Sequence, residues 1–168
     1  EEIEEPKIPY CEEWSILEKL NQEKEVIGIF ISGHPLDDFK VEIANFCKGN
    51  LSYLNNLPKL KDKELAIAAI CTATQDRMTK NNKPFGVLSV EDYYASYDFY
   101  IFGEDYIKLK PYFIPGQYLF IKGKTKTKKW AKDDLDLEFK ISAITLLSEL
   151  REKAAKNIIL NIYSKTII

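Results

Sequence analysis

The most constraining feature of this sequence is a change in the spacing of its apolar residues at Glu64. Before this point, apolar side chains recur every three or four residues, which is typical of amphipathic helices. After it, they alternate with polar side chains, which is typical of β-strands with one buried face. Tyr97, Phe99 and Ile101, for example, alternate with the residues between them. The chain therefore divides into a helical first part and a β-rich second part.

The β-rich part contains five segments with strand character, separated by residues that favour turns. The predicted strands are residues 65–74, 85–91, 96–102, 118–124 and 135–141. Between the third and fourth strands, residues 103–113 have room for one short helix. Three strands, a helix and two strands is the order of an OB-fold. We therefore expect an all-β, five-stranded OB-fold barrel preceded by an α-helical segment, and an α+β chain overall.

The rest of the chain is expected to flank this barrel. Residues 1–60 are predicted to be a helical segment with a helix over 11–30, and residues 61–148 are predicted to be the barrel. Residues 149–168 are predicted to form a helix followed by a strand that begins another domain. The chain starts with Glu1 rather than Met. We therefore expect a piece of a longer protein.

Composition argues against several classes of protein. Hydrophobic residues make up 45% of the chain, enough for a packed core, but no apolar run approaches the roughly 20 residues of a membrane span. Three widely spaced cysteines and one histidine suggest neither disulfides nor a zinc site, so we expect a cytoplasmic protein without membrane contact. Since no phosphate-binding glycine loop, no Gly-x-Ser-x-Gly motif and no close pair of acids in a strand suited to two metal ions occur, we expect a catalytically inert chain without a cofactor.

The predicted barrel carries residues suited to a nucleic acid. The net charge is −2, but six lysines fall between Lys122 and Lys132. OB-folds bind oligonucleotides on strands two and three and on the loops beside them, using stacking aromatics and mobile cations. The candidate stacking residues are Phe85, Tyr100 and Trp130. The candidate phosphate ligands are Arg77, Lys80, Lys83, Lys124, Lys126, Lys128 and Lys129.

Structural roles for some of these residues stay open. The amino-terminal helices could cover Phe85 and Tyr100, and the lysine run could be a solvated hairpin. Function and structure are equal alternatives for Trp130. The single histidine, His34, precedes Pro35 at a break between two helices, so we expect it to cap or support that turn rather than to act in catalysis.

Two sets of stretches carry a more specific pattern. The first runs from Trp14 to Asp37 and ends in the Ser-Gly-His-Pro-Leu element at residues 32–36. The others lie in the predicted barrel, at residues 83–85, 90–92, 98–102 and 121–124. Together they resemble the bacterial DNA polymerase III alpha subunit, a C-family replicative polymerase. The Ser-Gly-His-Pro-Leu element is the more specific of the two sets, because the barrel pattern also occurs in other OB proteins. One departure from the family pattern is the lack of a glycine in the turn at 92–95.

The resemblance implies that the parent protein is a DNA-directed DNA polymerase and that this region lacks its catalytic palm. It implies a barrel near the single-stranded template, following a helix-hairpin-helix region that contacts duplex DNA. The implied partners are single-stranded DNA, the rest of the alpha subunit and, through the full-length protein, the clamp and tau subunits. Two alternatives stay open: a docking module within the replisome and an anticodon-binding OB domain of a tRNA synthetase.

Overall fold

The structure is a computed structural model, and it describes residues 10–28, 30–128 and 136–154. Within these ranges the helices are α1 (Ile16–Ile27), α2 (Lys40–Phe46), α3 (Gly103–Leu109) and α4 (Leu147–Ala154). Shorter 3-10 helices span Pro35–Phe39, Leu51–Leu60 and Lys110–Tyr112. The strands are β1 (Glu64–Met78), β2 (Pro84–Glu91), β3 (Ser96–Phe102), β4 (Tyr118–Thr127) and β5 (Leu137–Leu146).

The five strands form one antiparallel sheet in the order β3-β2-β1-β4-β5. β1 pairs with β4 along its first half and with β2 along its second half. α3 lies between the third and fourth strands, as in an OB-fold. The predicted fold class is therefore confirmed. The barrel is only partly closed, because β3 and β5 stand at the two ends of the sheet with no ladder between them; we call this gap the seam.

The core fills the inside of the curled sheet. Alternate residues of the strands, such as Ile67, Leu88 and Ile121, are fully buried there. Two helical elements contribute to the same core: Leu51 and Leu54 from the Leu51–Leu60 helix, and Tyr106 and Leu109 from α3. A second, smaller cluster lies on the outer face of β1 and β4, where Leu36, Ala66, Ala68, Phe120, Leu147 and Leu150 pack together. The helical segment thus covers the β1–β4 face of the sheet.

The elements differ from the sequence expectations mainly in their lengths. α1 starts after a capping box of Ser15 and Glu18, and it ends at Gly28, whose φ of 87° is left-handed. It is therefore shorter than the predicted helix over 11–30. β1 and β5 are longer than predicted. The predicted strand at 157–168 lies outside the described residues, and the predicted division into three segments stays a prediction.

A buried carboxylate organises the turn between β2 and β3. Asp92 is 5% exposed, and its Oδ1 accepts hydrogen bonds from the backbone N–H groups of Tyr94 (2.8 Å) and Ala95 (2.9 Å). Its Oδ2 accepts a bond from the Leu51 N–H at 2.6 Å. The side chain closes a turn that contains no glycine. It also ties the Leu51–Leu60 helix to the sheet.

Replacing this carboxylate should destabilise the fold. We expect Asp92→Ala to lower the free energy of unfolding by about 3 kcal/mol, because it leaves backbone N–H groups without their charged acceptor. Urea denaturation followed by circular dichroism measures the difference. The matched control is Asp98→Ala on exposed β3 surface, which should change stability by less than about 0.5 kcal/mol. Equal effects of the two substitutions would contradict this role for Asp92.

Candidate nucleic-acid interface

The outer face of β1, β2 and β3 carries the candidate stacking residues. Gly86, Leu88 and Val90 of β2 face the core, so the residues between them face outward. Paired residues of neighbouring strands share a face, and the register places Arg77, Phe85 and Phe102 in one row across the three strands. The next row is Gln75, Val87 and Tyr100. We call Arg77, Phe85, Tyr100 and Phe102 the aromatic face.

The rings of the aromatic face are accessible. Tyr100 is 57% exposed and Phe102 is 53% exposed, whereas Phe85 is half-buried. Phe85 and Phe102 stack on each other, with ring centroids 4.9 Å apart and planes at 19°. The helical segment does not cover these rings, since it packs on β1 and β4 instead.

Phe102 is a candidate that the sequence interpretation missed. It follows Tyr100 by two residues on the same strand, so the alternation that pointed to Tyr100 extends to it directly. It is also the last residue of β3, next to the glycine that begins α3. The alternation of side chains along β3, followed to the last residue of the strand, would therefore identify Phe102.

Three cations lie at one end of this face, around the hairpin between β1 and β2. Arg77 Nε donates to Gln75 Oε1 at 2.9 Å, which holds the guanidinium on the outer surface. Lys80 and Lys83 are exposed in the hairpin loop, which is closed by the Thr79 N–H donating to the Lys83 carbonyl at 2.9 Å. Among the described residues, no acid forms an ion pair with Arg77, Lys80 or Lys83. Their charges are thus available to phosphates.

The remaining candidate lysines lie elsewhere. Lys124 and Lys126 are on the outer face of β4, and Lys124 pairs with Glu64, the first residue of β1, at 3.5 Å. Arg77 is near the other end of β1, so the structure does not bring these lysines to the aromatic face. Lys128 binds Asp136 at 2.6 Å, and this contact raises the pKa of Lys128. Lys129 and Trp130 are outside the described residues.

The Ser-Gly-His-Pro-Leu element forms a compact corner below the β2–β3 turn. His34 Nδ1 accepts a hydrogen bond from the Leu36 N–H at 3.1 Å, so His34 caps the following helix as expected. Asp37 accepts bonds from the His34 N–H (3.0 Å) and the Tyr93 hydroxyl (2.9 Å), and these donors lower the pKa of Asp37 to about 2. The His34 and Tyr93 rings lie 4.1 Å apart. The corner therefore joins the helical segment to the sheet.

α1 is attached to the same region by two glutamate contacts. Lys24 of α1 forms an ion pair with Glu91 at the end of β2. Glu23 accepts hydrogen bonds from the backbone N–H groups of Ile31 (3.0 Å) and Ser32 (2.9 Å), one turn beyond the helix. These contacts fix α1 beside the corner rather than over the aromatic face.

In the described ranges, no three potential ligands among His, Cys, Asp and Glu lie close enough to hold a metal ion. The helices in those ranges are also too short or too polar to cross a bilayer. The aromatic face with its hairpin cations is thus the candidate site with the clearest chemistry.

Comparisons with known proteins point to one family. No family model matches the sequence. The DNA polymerase III subunit alpha of Campylobacter jejuni is 38% identical over 98 residues, which are 56% of this chain and 8% of that protein. That of Treponema pallidum is 29% identical over 158 residues, and that of Escherichia coli is 22% identical over 159; each match covers 94% of this chain and 13% of the relative. The chain thus spans about a tenth of the length of these relatives.

Two solved structures are partly similar to this chain. An OBody bound to hen egg-white lysozyme has a TM-score of 0.43 at 17% identity, covering 60% of this chain and 94% of that one. The asparaginyl-tRNA synthetase of Entamoeba histolytica has a TM-score of 0.36 at 16% identity, covering 63% of this chain and 25% of that one.

The corner should make stability depend on pH. Burial lowers the pKa of His34 below its usual 6.5, against the opposing charges of Asp37, Glu91 and Asp92. Because the neutral ring is favoured in the fold, its contribution is complete above about pH 6.5 and is lost as the pH falls below that value. We expect His34→Asn, which can still cap the helix, to flatten the fall in melting temperature between about pH 7 and pH 5. Calorimetric scans across this range test this, and parallel curves for the two proteins would contradict it.

Proposed function

Because this chain belongs to the bacterial DNA polymerase III alpha subunit family and matches one segment of those proteins, we propose that it is the non-catalytic OB-fold region of such a polymerase. Its function is to bind single-stranded template DNA during replication. A cytoplasmic location follows from this role.

The observation that carries this proposal is that exposed rings on the aromatic face lie beside cations that form no ion pair among the described residues. Tyr100 and Phe102 are both more than half exposed, and Arg77, Lys80 and Lys83 lie at the end of the same face. Each base that stacks on such a ring typically contributes ~1–3 kcal/mol. The cations add a salt-dependent attraction for phosphates. Neither contribution distinguishes one base from another. This lack of base preference suits a surface that must accept any template sequence.

The rings have different roles in this binding mode. Tyr100 and Phe102 accept bases on their open sides. Phe85 lies behind Phe102 in the stacked pair and holds its ring in position, so less side-chain freedom is lost on binding. Phe85 is therefore a supporting residue as much as a direct contact.

The lysines of β4 contribute at the periphery. Lys124 and Lys126 are exposed and would meet phosphates of a strand that continues past β1. Lys124 and Lys128 each form an ion pair with an acid, so a phosphate contact at either lysine contributes less binding free energy. Lys129 and Trp130 stay predictions from the sequence.

The proposed partners besides DNA are the rest of the alpha subunit and, through the full-length protein, the clamp and tau subunits. A docking role is the second candidate, because Trp14, Val26 and Ile27 expose 58%, 81% and 54% of their surface on and before α1. The anticodon-binding alternative is not favoured, since the sequence relatives described above are all named DNA polymerase III subunit alpha.

DNA binding can be tested by fluorescence anisotropy with labelled oligo-dT at low salt. We expect Tyr100→Leu and Phe102→Leu each to weaken binding about tenfold, because a base loses its stacking surface. Arg77→Gln should weaken binding several-fold and reduce the salt slope by about 0.7, as expected for one lost phosphate contact on a single strand.

The matched control is Tyr53→Leu, which changes a tyrosine 49% exposed on the Leu51–Leu60 helix. It should leave affinity for oligo-dT unchanged. The proposal is wrong if oligo-dT does not bind at low salt, or if the control weakens binding as much as Tyr100→Leu. Tighter binding to oligo-U than to oligo-dT would favour the anticodon-binding alternative. Capture of clamp or tau without DNA binding would favour the docking role.

A further inference from the structure

The seam between β3 and β5 is a cleft bounded by two unpaired strand edges. Its volume is about 760 Å³. The two strands run in the same direction along it: Phe99 meets Phe139 with ring centroids 6.0 Å apart, and farther along, Asp105 just beyond β3 meets Lys140 of β5 at 2.9 Å. The strands approach closely enough for their side chains to touch, yet no ladder joins their backbones.

The backbone along both edges has hydrogen-bonding capacity. A strand at the end of a sheet turns alternate N–H and C=O groups away from its only neighbour. Residues 97–102 of β3 and residues 137–141 of β5 line the cleft in this way. Six residues of extended chain span about 20 Å, so the cleft has the length of a short peptide strand.

The floor of the cleft is apolar. Phe99, Ile101, Phe139 and Ile141 point from the two strands into the core and line the cleft from below. Leu57 from the Leu51–Leu60 helix and Leu109 from α3 add to this lining. A strand lying in the cleft would therefore place every second side chain against an apolar surface.

The rim of the cleft is acidic. Asp98 and Glu138 are exposed, and within the described ranges neither forms an ion pair. The two lysines at the rim are each bound to an acid of their own: Lys128 to Asp136 at 2.6 Å and Lys140 to Asp105 at 2.9 Å. The rim thus attracts cations and repels phosphates, unlike the hairpin end of the aromatic face.

We propose that the seam binds an extended basic peptide segment, which adds as a strand between β3 and β5. Its backbone pairs with the two free edges, its apolar side chains alternate toward the floor, and its basic side chains lie beside Asp98 and Glu138. Such a segment completes the ring of strands that the described residues leave open. This site shares Tyr100 and Phe102 of β3 with the aromatic face, but it differs from that face in its charge and in the strand edges that bound it.

The probe is a fluorescein-labelled six-residue peptide in which lysine and valine alternate. Two comparators separate the contributions: a peptide with glutamate in place of lysine, and the lysine peptide methylated on every second backbone nitrogen, which removes ladder donors but keeps the charge. Fluorescence anisotropy should give binding of the lysine peptide, with both comparators at least about tenfold weaker. Similar affinities for all three peptides would overturn the proposal.

Charge-reversal variants test the location. Asp98→Lys combined with Glu138→Lys should reverse the preference, so that the glutamate peptide binds more tightly than the lysine peptide. The matched control is Glu104→Lys on exposed α3 surface outside the cleft, which should keep the preference of the unchanged protein. Hydrogen exchange should show that the lysine peptide protects backbone amides of β3 and β5. Protection confined to other strands would place the peptide elsewhere and contradict the proposal.

One further comparison distinguishes binding at the seam from binding at the aromatic face. Arg77→Gln should weaken oligo-dT binding and leave binding of the lysine peptide unchanged. If Arg77→Gln weakens both equally, or if the glutamate peptide and oligo-dT both displace the lysine peptide, the seam is not a separate cationic-peptide site. Loss of DNA binding alone would count against the proposed function without affecting this inference.

Discussion

The fold depends on β1, because this strand pairs with a different neighbour along each half of its length. Its first half pairs with β4 and its second half with β2, and a bulge between Cys71 and Ala73 separates the two registers. Before the bulge, odd-numbered residues such as Ile67 face the core; after it, the even-numbered Asp76 faces inward and bonds to the Tyr106 hydroxyl at 2.7 Å. One extra residue therefore turns Arg77 outward, into line with Phe85 and Phe102. The chemistry of the aromatic face follows from this irregularity.

The helical elements contact the sheet at two different places. At the β1–β4 face, Leu36 of the corner and Leu147 of α4 bury small residues of β1, so that this side of the barrel is occupied by the chain's own helices. At the β2–β3 turn, Asp92 and Tyr93 connect the sheet to the Leu51–Leu60 helix and to the corner without covering the outer face of either strand. The helical segment is thus attached to β2 and β3 through contacts at the end of the strands, which leaves the aromatic face open.

The sequence predicted regular alternation well and irregular positions poorly. β2 and β3 match their predicted bounds within one residue: buried and exposed residues alternate along most of β3, and turn residues mark the start of β2. β5 was expected to end at Ile141, but the register shift opposite Lys122 and Gly123 changes which residues face inward, and the strand continues to Leu146 with Ile144 buried. The sequence also does not predict that Lys124 lies far from Arg77. This distance depends on the length of β1, which separates the two residues. The sequence pattern indicates which face of a strand each side chain occupies, whereas the distance between two residues of the sheet depends on how the strands pair.

β3 belongs to both of the proposed binding sites. Its outward side chains, Tyr100 and Phe102, belong to the aromatic face, whereas its free backbone edge belongs to the seam. Asp98 lies between them in space, on the outer face but away from the hairpin cations. A phosphate chain that follows Arg77 onto Phe102 and Tyr100 meets this carboxylate next, where the potential changes sign and further contact becomes unfavourable. The same carboxylate attracts a basic segment to the edge beside it. In the two proposed binding modes, Asp98 therefore confines the DNA contact to the hairpin half of the aromatic face and favours a basic segment at the seam.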